Sequence, residues 1–265
     1  MIYVVTLCYN LFSECQKATE RLYKQNEGTK FKHILADCGF PLITDTIPDD
    51  IEEAKEKNTE CLKSLAHRFG SEYLKINNEG VSQNHTQVWF HLNPNDEDSY
   101  ITACPDEAQV EDGWLQAMDD VLKELGYCAP HLTEHTELLA NSPHAKKETI
   151  NGREVYVMLG NINYGTLGVS CRMMNAMGGI AYPSNMPIYG GIESILIHES
   201  KRLKERWGLL KDFRTEHTDF EKGNIGTSSL LRSWKNTIIF GKRGQMPFDI
   251  WLQEEKARPK MEIVK

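Results

Sequence analysis

Through the first 130 residues, apolar runs of strand length alternate with stretches of helical pattern, and this rhythm constrains the fold more than any single motif. Ile2 to Leu7 is a continuous apolar and β-branched run, as in a strand buried on both faces. Ser13 stands where it can cap a helix running to about Gln25, and Phe31 to Ala36 reads as a second strand. Pro48 and Asp49 open a strongly charged helical stretch ending near Phe69, with Gly70 as its stop signal. Tyr73 to Ile76 is a short third strand; residues 82 to 92 suit a helix broken before Pro94. Ser99 to Ala103 reads as the fourth strand, and Glu111 to Leu125 as a helix with Gly126 after it. Such alternation implies βαβ units and a mainly parallel sheet flanked by helices, an α/β fold.

The second half reads differently. Glu154 to Leu159 and Thr166 to Cys171 look like strands joined by a Gly/Asn-rich loop, and Gly191 to Trp207 is helical. With 265 residues and no linker or repeat, one domain over 1–220 is expected, its first part over 1–130 and its second over 150–220. Residues 221–265 read as an extension packed on it. Seven cysteines include no CxxC pair, which suggests reduced thiols and a cytoplasmic location. No apolar run is long enough to span a bilayer, and the N-terminus lacks the pattern of a signal peptide. A net charge of −8 disfavours broad electrostatic binding to nucleic acid, though a local basic patch stays possible.

In open α/β sheets, ligands bind outside the carboxyl ends of the strands, near a reversal of strand order. Here the first strand ends in Thr6-Leu7-Cys8-Tyr9-Asn10 and the second in Asp37-Cys38-Gly39. The third leads into Asn77-Asn78-Glu79-Gly80, and the fourth into Asp106-Glu107. Each strand thus delivers polar or acidic groups to one rim. A carboxylate there can accept hydrogen bonds from a base or ribose, or hold a hard divalent cation bridging two phosphates. Helix caps and turns favour the same residue types, so each position alone is more simply a turn. Four in succession favour a site.

VVTLCYN, LADCG, INNEGVSQN and ITACPDEAQVEDGWLQAM resemble, in order, the blocks of GT-A-fold glycosyltransferases, especially the family-2-like group. The resemblance covers residues 1 to 125 and returns weakly from about 153 to 219. It implies that Thr6 and Tyr9 line the base pocket, that Asp37 contacts the base, and that Asn84 sits near the nucleotide-sugar. It assigns Asp106 to the ribose and diphosphate, and Asp106 with Glu107 to a divalent metal, Mn²⁺ or Mg²⁺. Gly113-Trp114 sets the register of this acidic motif, although Pro105 stands where its first acid usually falls. Gly190-Gly191-Ile192-Glu193-Ser194 is similar to the block that supplies the general base at a helix start, implying Glu193 as catalytic base and inversion at the anomeric carbon. Glu193 in the first turn also suits the helix dipole. Glu216-His217-Thr218-Asp219 resembles the late segment whose His joins the metal shell, which gives His217 that role.

The expected activity is therefore metal-dependent transfer of a sugar from a nucleotide-sugar donor to a hydroxyl acceptor. The acceptor is expected to be a soluble saccharide, with hydroxymethylated bases in DNA as the alternative. For DNA, the basic stretch Lys201, Arg202, Lys204 and Arg206 would have to meet phosphates. A nucleotidyltransferase is a second class, disfavoured because LCYNLFSECQK lacks a glycine and an early basic residue. A nucleotide- or glycan-binding module without turnover is a third. Gly165 to Ser170 lacks the P-loop lysine, but its small residues would allow a close backbone approach near a sugar.

Overall fold

The structure, a computed structural model, describes residues 1–8, 12–42, 50–78, 81–158, 166–179 and 192–217, with side chains omitted at 82 and 192–195. The expected extension over 221–265 lies outside the described residues. β1 (Ile2–Cys8) and β2 (Phe31–Asp37) run parallel, from Ile2 opposite Phe31 to Cys8 opposite Asp37. α1 (Phe12–Gln25) connects them. α2 (Ile51–Phe69) leads to β3 (Glu72–Lys75), which pairs parallel with β2. α3 (Val81–Leu92) then crosses back to β4 (Ser99–Thr102), which pairs parallel with β1 on its other edge. The order β3-β2-β1-β4 is the expected βαβ arrangement, and its reversal falls between β1 and β4.

Beyond β4 the sheet becomes mixed. The remaining elements are β5 (Glu107–Gln109), α4 (Trp114–Leu122), β6 (Tyr127–Leu132), α5 (Thr136–Ala140), β7 (Ala145–Ile150), β8 (Arg153–Met158), β9 (Gly168–Ser170), α6 (Cys171–Met177), α7 (Ile192–Leu203) and β10 (Trp207–His217). The sheet continues β4-β9-β6-β10-β8-β7, with β5 pairing β10 off this path. β9 is antiparallel to both β4 and β6. The two strands expected in the second half are present as β8 and β9, but they do not pair with each other.

Alternating side chains of β1 and β2 feed two core layers, as the pleat requires. Val5, Leu7, Ile34 and Ala36 pack with Val88 and Trp89 of α3, Met173 and Met174 of α6, and Leu196 and Ile197 of α7. On the opposite face, Ile2 and Val4 pack with Leu22 of α1 and with Trp114, Leu115 and Met118 of α4. Leu35 and Cys8 pack there with Leu62 and Leu65 of α2. Helices cover both faces, so the expected α/β domain with a central mixed sheet is the observed architecture. No helix among the described residues is long and apolar enough to cross a membrane. All seven cysteines carry free thiols.

Candidate active site

Asp37 ends β2 with its carboxylate turned into the protein and is 1% exposed. One oxygen accepts from the Gly39 amide at 2.8 Å. The other accepts from the Thr59 hydroxyl of α2 and the Tyr73 hydroxyl of β3, both at 2.7 Å. Gly39 takes a φ of 71°, a left-handed conformation that a side chain would strain, and so lets the chain fold back over the carboxylate. Burial pushes the Tyr73 phenol up, and its hydrogen bond to Asp37 pushes it further, so it stays a donor. Cys38 points to the other face, where Asn84 of α3 donates to its Sγ at 3.5 Å and to Asn78 Oδ1 at 3.0 Å. Asp37 and Asn84 therefore bind the ends of β2 and β3 to α2 and α3.

Thr6 lies two residues short of the end of β1 and is buried, with Oγ1 3.1 Å from His33 Nε2. His33 Nδ1 meets Ser71 Oγ at 2.9 Å, and that hydroxyl meets the Tyr23 hydroxyl at 3.0 Å. Thr6 thus belongs to a polar chain inside the core. Tyr9 lies outside the described residues.

The acidic turn after β4 answers to a short segment far along the chain. Thr102 N donates to Leu167 O at 2.7 Å, and Leu167 N donates to Thr102 Oγ1 at 2.9 Å. Cys104 N donates to Thr166 Oγ1 at 3.3 Å, while Thr166 N donates to Glu107 Oε2 at 2.7 Å. Glu107 is 7% exposed, so a charged acceptor sits on a buried amide. Its own amide closes the turn on Cys104 O at 3.2 Å. Glu107 is therefore a latch, and Asp106, half-buried, stands at the bend that the latch closes.

His217 ends β10 directly opposite Glu107 in the antiparallel pairing with β5. Opposite residues of an antiparallel pair share a face. Topology thus brings His217 opposite Glu107, which lies 110 residues earlier in the sequence. Among the described residues, no group of three His, Cys, Asp or Glu side chains is arranged to hold a metal ion. Mg²⁺-type sites usually take one or two protein carboxylates and complete the shell with substrate phosphates. Glu193 is the second residue of α7, at the helix start that the sequence implied, and its side chain lies outside the described residues.

Sequence reasoning missed Thr59, Tyr73 and Thr166, which hold the carboxylates. Nothing local marks a hydroxyl as a partner for an acid tens of residues away. Gly168, expected to allow approach of a sugar, instead lies within β9, where an added Cβ would meet Leu122 Cδ1 at 2.8 Å and Met118 Cε at 2.9 Å. Its smallness serves the packing of α4 on the sheet.

No family model matches the chain, and no curated protein matches it. Among solved structures, it is similar to a galactosyltransferase, LgtC, in complex with donor and acceptor sugar analogs, at 13% identity and a TM-score of 0.37. That match covers 65% of this chain and 58% of the other, so the chain spans less than two thirds of that protein. A putative nucleotide-diphospho-sugar transferase from Desulfovibrio desulfuricans G20 matches at 6% identity over 97% of this chain and 95% of that one, with a TM-score of 0.44. A putative glucose-1-phosphate thymidylyltransferase from Bacillus anthracis matches at 11% identity over 94% and 99%, also with a TM-score of 0.44. Overlaps this loose leave the chemistry to the chain's own side chains.

Proposed function

We propose that the chain is a nucleotide-sugar-dependent glycosyltransferase whose donor lies across the β1/β4 reversal. What supports this reading is that Asp106 follows β4 on a turn fixed by the Glu107–Thr166 latch, with His217 opposite Glu107. A rigid turn holds a carboxylate in one position, which is what recognition of a ribose or a cation-bound diphosphate needs. When bound, Mn²⁺ or Mg²⁺ would neutralise the charge that develops on the diphosphate, held by Asp106 and His217. In the transfer step, the bond between the anomeric carbon and the diphosphate oxygen breaks, and that oxygen keeps the electron pair. The acceptor oxygen forms the new bond to the anomeric carbon, and its proton passes to the Glu193 carboxylate. Asp37 acts in this reading through the turn after β2, which it shapes.

A saccharide acceptor suits the charge distribution better than DNA. Arg202 pairs with Glu199 at 2.5 Å, and Arg206 pairs with Glu148 at 2.7 Å and with Glu124 at 3.5 Å. Lys201 lies over the Trp207 ring, 5.7 Å from its centre. Two of the four cations that phosphates would have to meet are thus already paired with carboxylates.

Thermal shift against a panel of nucleotide-sugars, with and without Mn²⁺, tests the reading, since a ligand that binds the native state raises its stability. The expected result is a Mn²⁺-dependent rise for one donor, followed by release of its nucleoside diphosphate when acceptor is added. A rise only with a nucleoside triphosphate, and release of pyrophosphate, would make the protein a nucleotidyltransferase. Donor binding without turnover against any saccharide or hydroxymethylated DNA would make it a binding module.

A further inference from the structure

Behind the acidic turn, a cavity of about 20 Å³ opens between α1, β5 and α4, lined among others by Arg21, Gln25, Glu107, Gln109, Trp114 and Thr166. Two of these side chains carry buried polar atoms with no partner: Trp114 Nε1 and Gln109 Oε1. Trp114 is 2% exposed and Gln109 9%. The other half of the Gln109 amide is committed, since Nε2 donates to Thr215 Oγ1 at 3.1 Å. The backbone around the cavity is committed too. Arg21 Nη2 reaches Glu107 O at 3.5 Å, and Gln25 Nε2 donates to Gln109 O at 2.8 Å.

An unpaired buried donor and an unpaired buried acceptor each cost roughly 1–3 kcal/mol, and native proteins rarely leave them so. Indole Nε1 can only donate, and an amide oxygen can only accept. A ligand serving both must therefore accept and donate at once. A cation would face the Arg21 guanidinium and the indole N–H; an anion would face the Glu107 carboxylate and the Gln109 oxygen. A neutral molecule with both capacities is required. About 20 Å³ is room for one water molecule and little more, and a buried water needs two to four polar partners.

We propose that this cavity is a binding site for one ordered water, which accepts from Trp114 Nε1–H and donates to Gln109 Oε1. It joins the start of α4 to β5, the strand that carries the latch residue Glu107, with Arg21 as a further donor within the same cavity. The site is independent of which reaction the protein performs.

Two measurements on the full chain test this. In ¹⁵N-labelled protein, the Trp114 indole signal is identified by its loss in Trp114→Phe. It should then show a direct cross-relaxation peak at the water frequency, with the sign of a long-lived bound water. In a double-mutant cycle, Trp114→Phe and Gln109→Met should each lower Tm, and the double variant should lose less than the sum, because either change alone already removes the shared water. If the two atoms are simply unpaired, no water links the two side chains. The losses from the Thr215 hydrogen bond and from the indole volume would then be independent, and the two effects would add. Absence of the water cross peak overturns the proposal, as does additivity. The cross peak is read on the unmodified protein, where triple-resonance spectra of ¹³C/¹⁵N-labelled chain also assign the Trp114 indole, so a variant that fails to fold does not remove the test.

Discussion

The two acids of the turn after β4 sit side by side and do different work. Glu107 is buried and committed to an amide; Asp106 is half-buried at the bend. Glu107→Ala leaves the Thr166 N–H without its charged acceptor, a loss of about 1–3 kcal/mol. At about 2–4 °C per kcal/mol for a domain of this size, Tm should fall by several degrees in calorimetry. Asp106→Asn should leave the protein folded and remove Mn²⁺-dependent donor binding in titration calorimetry. Unchanged donor affinity in Asp106→Asn would leave this acid with a role in the turn alone. Asp37→Ala strips the acceptor from Gly39 N, Thr59 and Tyr73 together, and should destabilise by roughly 3–5 kcal/mol in urea unfolding, since each buried donor left unpaired costs about 1–3 kcal/mol. The sequence could place these acids at strand ends because strands and caps have local signatures. It could not tell a latch from a ligand, because that depends on Thr59, Tyr73 and Thr166, whose proximity only the fold creates.

Among the elements, those of the parallel half were legible, and the reason lies in their burial. β1, β2 and β4 are covered on both faces and read as apolar runs; α2 carries its own boundaries. Asp50 caps it by accepting from Glu52 N and Glu53 N, and Gly70 ends it at a φ of 67°. β6 and β10 were not legible. β6, Tyr127–Leu132, holds Pro130 and His131 in mid-strand, which local propensity reads as a break. The sheet accommodates the proline at an irregularity of its partner, where the register jumps from Leu210 opposite Pro130 to Arg214 opposite His131. β7, Ala145–Ile150, is a charged edge strand, the usual guard against edge-to-edge pairing. β5 is three residues long and exists because β10 lies beside it. The importance of β10 can be tested at Gly208, where an added Cβ would lie 2.8 Å from the Tyr156 carbonyl oxygen. That oxygen is backbone in the paired strand β8 and has no rotamer to escape into. Gly208→Ala should cost roughly 1–3 kcal/mol in urea unfolding, the range for overpacking. An unchanged midpoint would mean that β8 and β10 separate without penalty. The start of α7 carries the catalytic proposal: Glu193→Gln should keep donor binding and lower kcat by about 10²–10⁴-fold, the usual contribution of a general base. Near-normal turnover would leave Glu193 as a residue that complements the helix dipole.

For the molecule as a whole, two buried imidazoles set the acid limit of stability. His33 is 2% exposed and His85 5%, and burial alone drives both pKa values down to about 3. Each is held in its neutral form by hydroxyl groups. His33 lies between Thr6 and Ser71, and His85 Nδ1 meets the Tyr100 hydroxyl at 2.9 Å. In the unfolded chain both rings titrate near 6.5, so the sign follows directly. Above 6.5 both states hold the imidazoles neutral, and these residues give no pH dependence. Between 6.5 and 3 the unfolded chain binds up to two protons that the folded chain does not, so stability falls with pH, by at most about 2.7 kcal/mol per unit. Carboxyls held below their ordinary range, such as Asp98 and Glu72, add a loss of the same sign only at lower pH, as the unfolded carboxyls take up protons. The fall should therefore begin a full two units above the carboxylate range. Urea unfolding at pH 8, 7, 6 and 5 should give equal stability at the first two values and a loss of several kcal/mol by the last. His33→Gln keeps a neutral side chain with a donor and an acceptor, and should flatten the slope by about half, whatever its own cost at pH 8. A stability that holds level to pH 5 would mean that both rings accept protons in the folded state, and that the polar chain from Thr6 to Tyr23 is open to water.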